Sequence, residues 1–258
     1  MKTFTPRDWD LNKSAWFRRP TDEFGGFSNM SVSFPLTVLG IHIRSSEHLY
    51  QAMRFTHEAD IQRDVLQAKS PMESKRIARE WDAWTRSDWM DIRVNAMRWA
   101  LRTKLAQHVS RFGSLLKLTG SRPIVEWSRH DSFWGAGPIN EETVHGVNVL
   151  GQLLTELRDD FIVNEDEACT IPAPTFSDAL VLGIPIVKIV PTKGEPLLHR
   201  DDLIGLGLSP GPAFGIILQA CFQRQMNGEF STIEEGLPIA KALWKAHTRI
   251  DNSDSMSA

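Results

Sequence analysis

The sequence predicts a mainly helical α+β protein, a compact helical unit with a small N-terminal β-hairpin followed by a small helical C-terminal module. Three observations lead there. From Asp88 to Gln107, "DWMDIRVNAMRWALRTKLAQ", apolar residues recur at helical spacing, with Trp89, Ile92, Ala96, Met97, Ala100 and Leu101 on one arc and Asp91, Asn95, Arg98 and Arg102 on the other. "SPMESKRIARE" carries a helix-start signal, with Ser70 as cap, Pro71 at the first helical position and Glu73 placed for a capping box. In the first part of the chain only residues 32–44, "VSFPLTVLGIHIR", alternate like a strand pair, turning near Leu39 and Gly40, with Pro35 suiting an edge.

After that hairpin a helix is expected from Ser45 or Ser46, whose hydroxyls can cap backbone amides, with Glu47 in a first turn that favours a carboxylate. Glu47, Tyr50 and Arg54 share one face of it, while Leu49, Met53 and Phe55 are free to pack. A further helix is expected over Phe112–Leu118, stopping at Thr119 and Gly120. "SRPIVEWSRHDSFWGAGP" then reads as a long functional loop, in which the glycines near Trp134, Gly135 among them, let backbone approach a ligand. The amphipathic "NVLGQLLTELRDDF" closes a first unit at 1–163. Residues 164–202 are acidic, then proline-bearing, and read as a linker in which "LVLGIPIVKIV" could supply a strand. A helical module over 203–250, with a second helix at about Thr232–His247, and a disordered tail at 251–258 complete the chain.

Composition narrows the function classes. Residues 1–163 carry 22 Lys and Arg against 20 Asp and Glu, and the remainder carries 7 against 12, so neither part is a bulk electrostatic binder of nucleic acid. Cys169 and Cys221 are too far apart for a metal or redox spacing and read as ordinary thiols, and the eight histidines show no ligand pattern. No metal site and no cofactor are expected. No stretch reaches the roughly 20 apolar residues of a membrane span, so the expectation is a cytoplasmic protein without a membrane partner. Phosphate-binding glycine loops, the GxSxG elbow and HExxH are all absent.

What remains is a set of carboxylates, tryptophans and a misplaced cation. Lys104 projects from the apolar arc of the 88–107 helix, as does Arg93. Such a lysine either snorkels to solvent or lies in a dry pocket where its pKa falls and its amine becomes nucleophilic.

In order, "FSNM", "SSEHLYQAMRF", "SPMESKRIAR", "SDWMDIRVNAMRWALRTKLAQ", "LLKLTGSRPIVEWSRHDSFWGAG" and "GVNVLGQLLTELR" resemble the motif series of the NADAR, or YbiA-like, family over about Phe27–Arg158. The resemblance implies a compact, mainly helical fold and N-glycosidase activity, a hydrolysis of the bond between ribose C1 and a nitrogen. It implies as substrate either a ribosylamino-pyrimidine phosphate of riboflavin synthesis or ADP-ribose attached to guanine, including guanine in nucleic acid. Glu47, Trp89, Asp131 and Trp134 match positions that the family uses for substrate and catalysis, and Lys75 and Lys104 match lysines that it retains. Asn29, Tyr50, Gly135 and Asn148 stand within the matching motifs and are counted with the substrate-binding set. Where many members read "QAxKF" this chain has Arg54, which cannot act as a nucleophile at ordinary pH and reads better as a phosphate clamp. A lysine Schiff base is implied for the guanine-directed members, with the lysine left open.

On this reading Glu47 and Asp131 share two roles, a carboxylate beside C1 and a proton or hydrogen-bond donor at the base, while Lys104 attacks an opened C1 aldehyde or else is a cation near the phosphate, and Trp89 or Trp134 stacks on the base. A module that binds ADP-ribose without cleaving it is the alternative from another class. The segment from Asp202 to Leu243 resembles the helical tail of CCA-adding tRNA nucleotidyltransferases; its expected role is packing or homodimerisation.

Overall fold

The computed structural model describes residues 4–165, 168, 170–187, 196–226 and 229–253. Cys169 and residues 254–258 of the expected tail lie outside them. The helices are α1 (Ser46–Ala52), α2 (Ala59–Gln67), α3 (Pro71–Glu80), α4 (Trp89–Gln107), α5 (Ser114–Leu118), α6 (Val149–Val163), α7 (Arg200–Gly205), α8 (Ala213–Met226) and α9 (Ile233–Ser253). α9 therefore continues through residues 251–253, which the sequence assigned to disorder.

The 19-residue α4 forms the spine. Its arc of Ala96, Met97, Ala100, Leu101 and Leu105 is buried, and it packs against α1 and α6. Helix α3 starts as its sequence dictates: the Ser70 hydroxyl accepts from the Glu73 amide at 3.1 Å. Glu73 then reaches back to the Lys69 amide at 2.6 Å, one residue before the expected capping-box partner. At α1 the cap differs from expectation. The Ser45 hydroxyl bonds His48 Nδ1 at 2.8 Å instead of a backbone amide, and His48 Nε2 meets the Ala68 carbonyl at 3.1 Å, which ties α1 to the end of α2.

The strands are more numerous than the hairpin and the possible strand in "LVLGIPIVKIV" read from the sequence. That hairpin is present as β3 (Leu36–Val38) and β4 (Ile41–Ile43), turning through Leu39 and Gly40, both at positive φ. In addition β1 (Arg7–Asp10), β7 (Thr143–Gly146) and β6 (Gly137–Pro138) form a three-stranded sheet in the order β1-β7-β6, and β2 (Ala15–Phe17) runs parallel to β5 (Ile124–Glu126). The expected long loop after Gly120 thus carries β5, β6 and the Trp127–Ala136 bridge. Strands of two to four residues are too short to show a period.

The described part of 164–187 is no open linker. β8 (Leu180–Val181) and β9 (Ile184–Pro185) form a hairpin whose Val181 and Ile184 are fully buried. Gln62 of α2 pins it, donating to the Leu180 carbonyl and accepting from the Leu182 amide. Buried residues of α7 and α8, such as Leu203, Phe214 and Ile217, join the same apolar cluster as those of α1, α4 and α6. The tip of the β3–β4 hairpin rests on α8: a Cβ added at Gly40 would lie 3.0 Å from that of Gln219.

One contact fixes the layer between α6 and β5. A Cβ added at Gly151 would stand 2.1 Å from the Ile124 carbonyl oxygen and 2.5 Å from the Asn148 amide group. Gly151→Ala must therefore push α6 away from β5, and is expected to destabilise the protein by about 1–3 kcal/mol. Thermal unfolding checks this, and an unchanged Tm would show that the two elements separate freely.

Candidate active site

On α1, Glu47, Tyr50 and Gln51 fall within four residues of one another, and Arg54 follows one turn later, so one face carries all four. That face forms a wall of a cleft of about 370 Å³. Lys75 of α3 and Trp89 at the start of α4 add two more walls, and the N-terminal turn contributes Ser28 and Asn29. The remaining side is made by Glu126 at the end of β5 and by Ser128, Asp131 and Trp134 of the following loop.

The aromatic side is a continuous cluster. The Tyr50 ring lies 5.1 Å from that of Trp89 and 5.5 Å, edge to face, from that of Trp134. Trp134 is held by its loop: Asp131 Oδ1 accepts from the Phe133 amide at 3.0 Å and from the Trp134 amide at 2.8 Å.

The polar side gathers three carboxyls. Glu47 is 6% exposed. Burial raises its pKa; the hydrogen bond from Gln51 and the charge of Lys75 oppose the rise, and Asp131 adds to it. Glu126 is pushed up to about 8, first by burial and then by the neighbouring Asp131 and Glu47, with Lys75 opposing. Gln51 Nε2 donates to Glu47 at 2.9 Å, and Arg54 in turn donates to Gln51 Oε1 at 3.2 Å, so the three form a relay along α1. Asn29 donates to Met97 Sδ at 2.9 Å, while its Oδ1 is buried without a protein partner.

A second and larger groove, of about 830 Å³, runs along Trp99, Arg102, Leu153 and Pro172. Its charges are consumed in ion pairs, Arg98 with Glu156 at 3.3 Å and Arg102 with Asp160 at 3.1 Å. The acids and flat rings are gathered in the smaller cleft.

Residues 16–162 match the NADAR domain, which is more than half of the chain. The chain belongs to the NADAR family. Among its relatives, N-glycosidase YbiA of Escherichia coli is 33% identical over 149 residues, a match covering 58% of this chain and 89% of YbiA. A riboflavin biosynthesis protein of Vibrio vulnificus is 36% identical over 150 residues, covering 58% of this chain and only 39% of that protein. A chloroplastic riboflavin biosynthesis protein of Zea mays is 34% identical over 160 residues, or 25% of its length. The chain therefore spans well under half of the two riboflavin proteins. The NMR structure of E. coli YbiA superposes with a TM-score of 0.52 at 32% identity, over 60% of this chain and 89% of that one. The NADAR match ends at residue 162, before α7–α9.

Of the residues singled out from the sequence, the NADAR cleft brings together Glu47, Asp131, Asn29, Tyr50, Arg54, Lys75, Trp89 and Trp134. Three others lie elsewhere. Lys104 is wholly buried in the core, where its Nζ donates to the Gly26 carbonyl at 2.6 Å and the Ser28 carbonyl at 3.2 Å. The faces of Phe34 and Phe112 flank it, with centroids at 4.9 and 4.7 Å. Burial draws its pKa down to about 7, yet its amine points at carbonyls and rings of the core and not into the cleft. Gly135 is a packing glycine: an added Cβ would lie 2.7 Å from the Glu126 carbonyl oxygen. Asn148, at φ 51° before α6, is fully buried and braces β5, its Oδ1 accepting from the Glu126 amide at 3.0 Å and its Nδ2 donating to the Ile124 carbonyl at 2.9 Å.

Arg54 lines the cleft but is already engaged, by an ion pair with Asp82, by the Thr85 hydroxyl at 2.7 Å and by Gln51. Its Nε alone is buried without a partner. Glu126, the acid that the sequence reading missed, had a local signal: in "IVE" strand alternation turns it to the same face as the fully buried Ile124. No grouping of three or more His, Cys, Asp or Glu among the described residues is placed to hold a metal ion.

The two lysines separate by experiment. Lys75→Met removes the cation that favours ionised Glu47 and Glu126, so both carboxyl pKa values are expected to rise. Lys104→Met strands two carbonyls and is expected to lower stability by about 1–3 kcal/mol with those pKa values in place. Carboxyl titrations by carbon-detected NMR distinguish them, and titrations unmoved by Lys75→Met would place its ammonium outside the acid cluster.

Proposed function

We propose that the protein hydrolyses the C1–N bond of a ribosylamino-pyrimidine phosphate, as a NADAR-type N-glycosidase. The observation that carries this reading is the meeting of three carboxyls and one ammonium with a wall of flat rings in one cleft. Breaking a ribosyl C–N bond builds positive charge on the sugar and an electron pair on the departing nitrogen, so the site needs carboxylates beside C1, a proton for the amine and an apolar grip on the base. Glu47 and Asp131 face the sugar. Trp134 or Trp89 packs on the pyrimidine, with Tyr50 supporting both rings. Lys75 and Arg54 are the cations for the phosphate. The names of the relatives, N-glycosidase and riboflavin biosynthesis protein, support the substrate class.

One observation favours a second reading, release of ADP-ribose from guanine through an imine. Of the two lysines weighed for that chemistry, Lys75 is the one on the cleft wall, beside the acids. Borohydride trapping with ADP-ribosylated guanosine, in wild type and Lys75→Met, tests it.

For the main reading, Glu47→Gln is expected to slow release of free pyrimidine from the ribosylamino phosphate by about 10²- to 10⁴-fold, followed by chromatography. Turnover equal to that of the wild type would remove Glu47 from the chemistry.

A further inference from the structure

The reaction above needs a proton for the departing nitrogen, and the three cleft acids are not equivalent sources. Glu47 accepts the Gln51 amide and feels Lys75. Asp131 uses Oδ1 to accept two backbone N–H groups, of Phe133 and Trp134. The Glu126 carboxyl has no hydrogen-bond or ion-pair partner among the described residues, although it lines the cleft at the end of a rigid strand. Its backbone is pinned on both sides, the amide by Asn148 Oδ1 at 3.0 Å and the carbonyl by the Ala136 amide at 2.9 Å. The charged groups facing it are Glu47 from α1, Lys75 from α3 and Asp131 from its own loop, two acids against one cation.

Resting on the N-glycosidase reading, we propose that Glu126 is the catalytic acid that protonates the leaving nitrogen, held in place by Asn148. An unpartnered carboxyl beside two others keeps its proton at neutral pH, because ionising it would add a third negative charge to a poorly hydrated site. The raised pKa, about 8, agrees. In the step, the C1–N bond breaks with its electron pair going to nitrogen, and the Glu126 proton moves to that nitrogen, so the amine departs neutral and Glu126 becomes a carboxylate. A water then takes the place of the amine, its oxygen bonds C1, and its proton returns to Glu126. Glu47 and Asp131 remain available to stabilise the positive sugar. Asn148 acts only through Glu126 and is a positioning residue.

The test compares two substrates with the same ribose 5-phosphate, the ribosylamino-pyrimidine and the 4-nitrophenyl glycoside, whose phenolate leaves without a proton. Glu126→Gln, nearly isosteric with the protonated acid, is expected to lose about 10²- to 10⁴-fold in kcat/KM on the amine and far less on the nitrophenyl glycoside. The wild type should also lose kcat/KM on the amine as pH rises through about 8, and this limb should vanish in the variant. Equal losses on both substrates, an unimpaired variant, or a limb that persists in it would overturn the role of Glu126 while leaving N-glycosidase activity intact. A wild type that cleaves neither compound would overturn the N-glycosidase reading itself, and the acid role with it.

Discussion

The arrangement depends on one constraint: Glu47, Glu126 and Asp131 share a small, poorly hydrated cleft with a single ammonium, Lys75. Three negative charges there would repel one another, and the pKa values of Glu47 and Glu126 are both raised. Such a cluster weakens the fold, because the same groups would be better solvated in the unfolded chain. On the proposed function, a positive sugar in the cleft would relieve that repulsion.

Most of the neighbouring structure fixes where those acids stand. The α1 helix carries Glu47 and is tied through His48 to the end of α2, just before α3, the helix that bears Lys75. Asn148, in a left-handed conformation that asparagine tolerates, fastens β5 to the start of α6 and so sets the height of Glu126. Lys104 performs a related service from the core: its ammonium gathers the carbonyls of Gly26 and Ser28, next to the Asn29 that opens onto the cleft. Lys104 is not among the residues lining the cleft, and these contacts suit a brace.

Several helices were legible because they carry a mark that survives in a single sequence, such as the Ser70-Pro71 start of α3 or the apolar arc of α4, whereas α2 (Ala59–Gln67) was not read. The face of α1 was legible too, since helical spacing sets which residues adjoin. β1, β2, β5 and β7 were not, because strands of three or four residues are defined by partners more than a hundred residues away, as Arg7 is by Gly146. Glu126 was missed with β5. For Lys104, its place on the apolar arc signalled burial, but periodicity says nothing of which cavity a buried amine meets, and Lys104 does not line the cleft.

The most direct test of the central claim is the relative affinity of a cationic iminoribitol 5-phosphate and neutral ribose 5-phosphate, measured by calorimetry at neutral pH. The account predicts that the cation binds at least about 100-fold more tightly, and that this preference disappears when Glu47 and Asp131 are both replaced by their amides. Equal affinities in the wild type, or a preference that survives the double replacement, would contradict it.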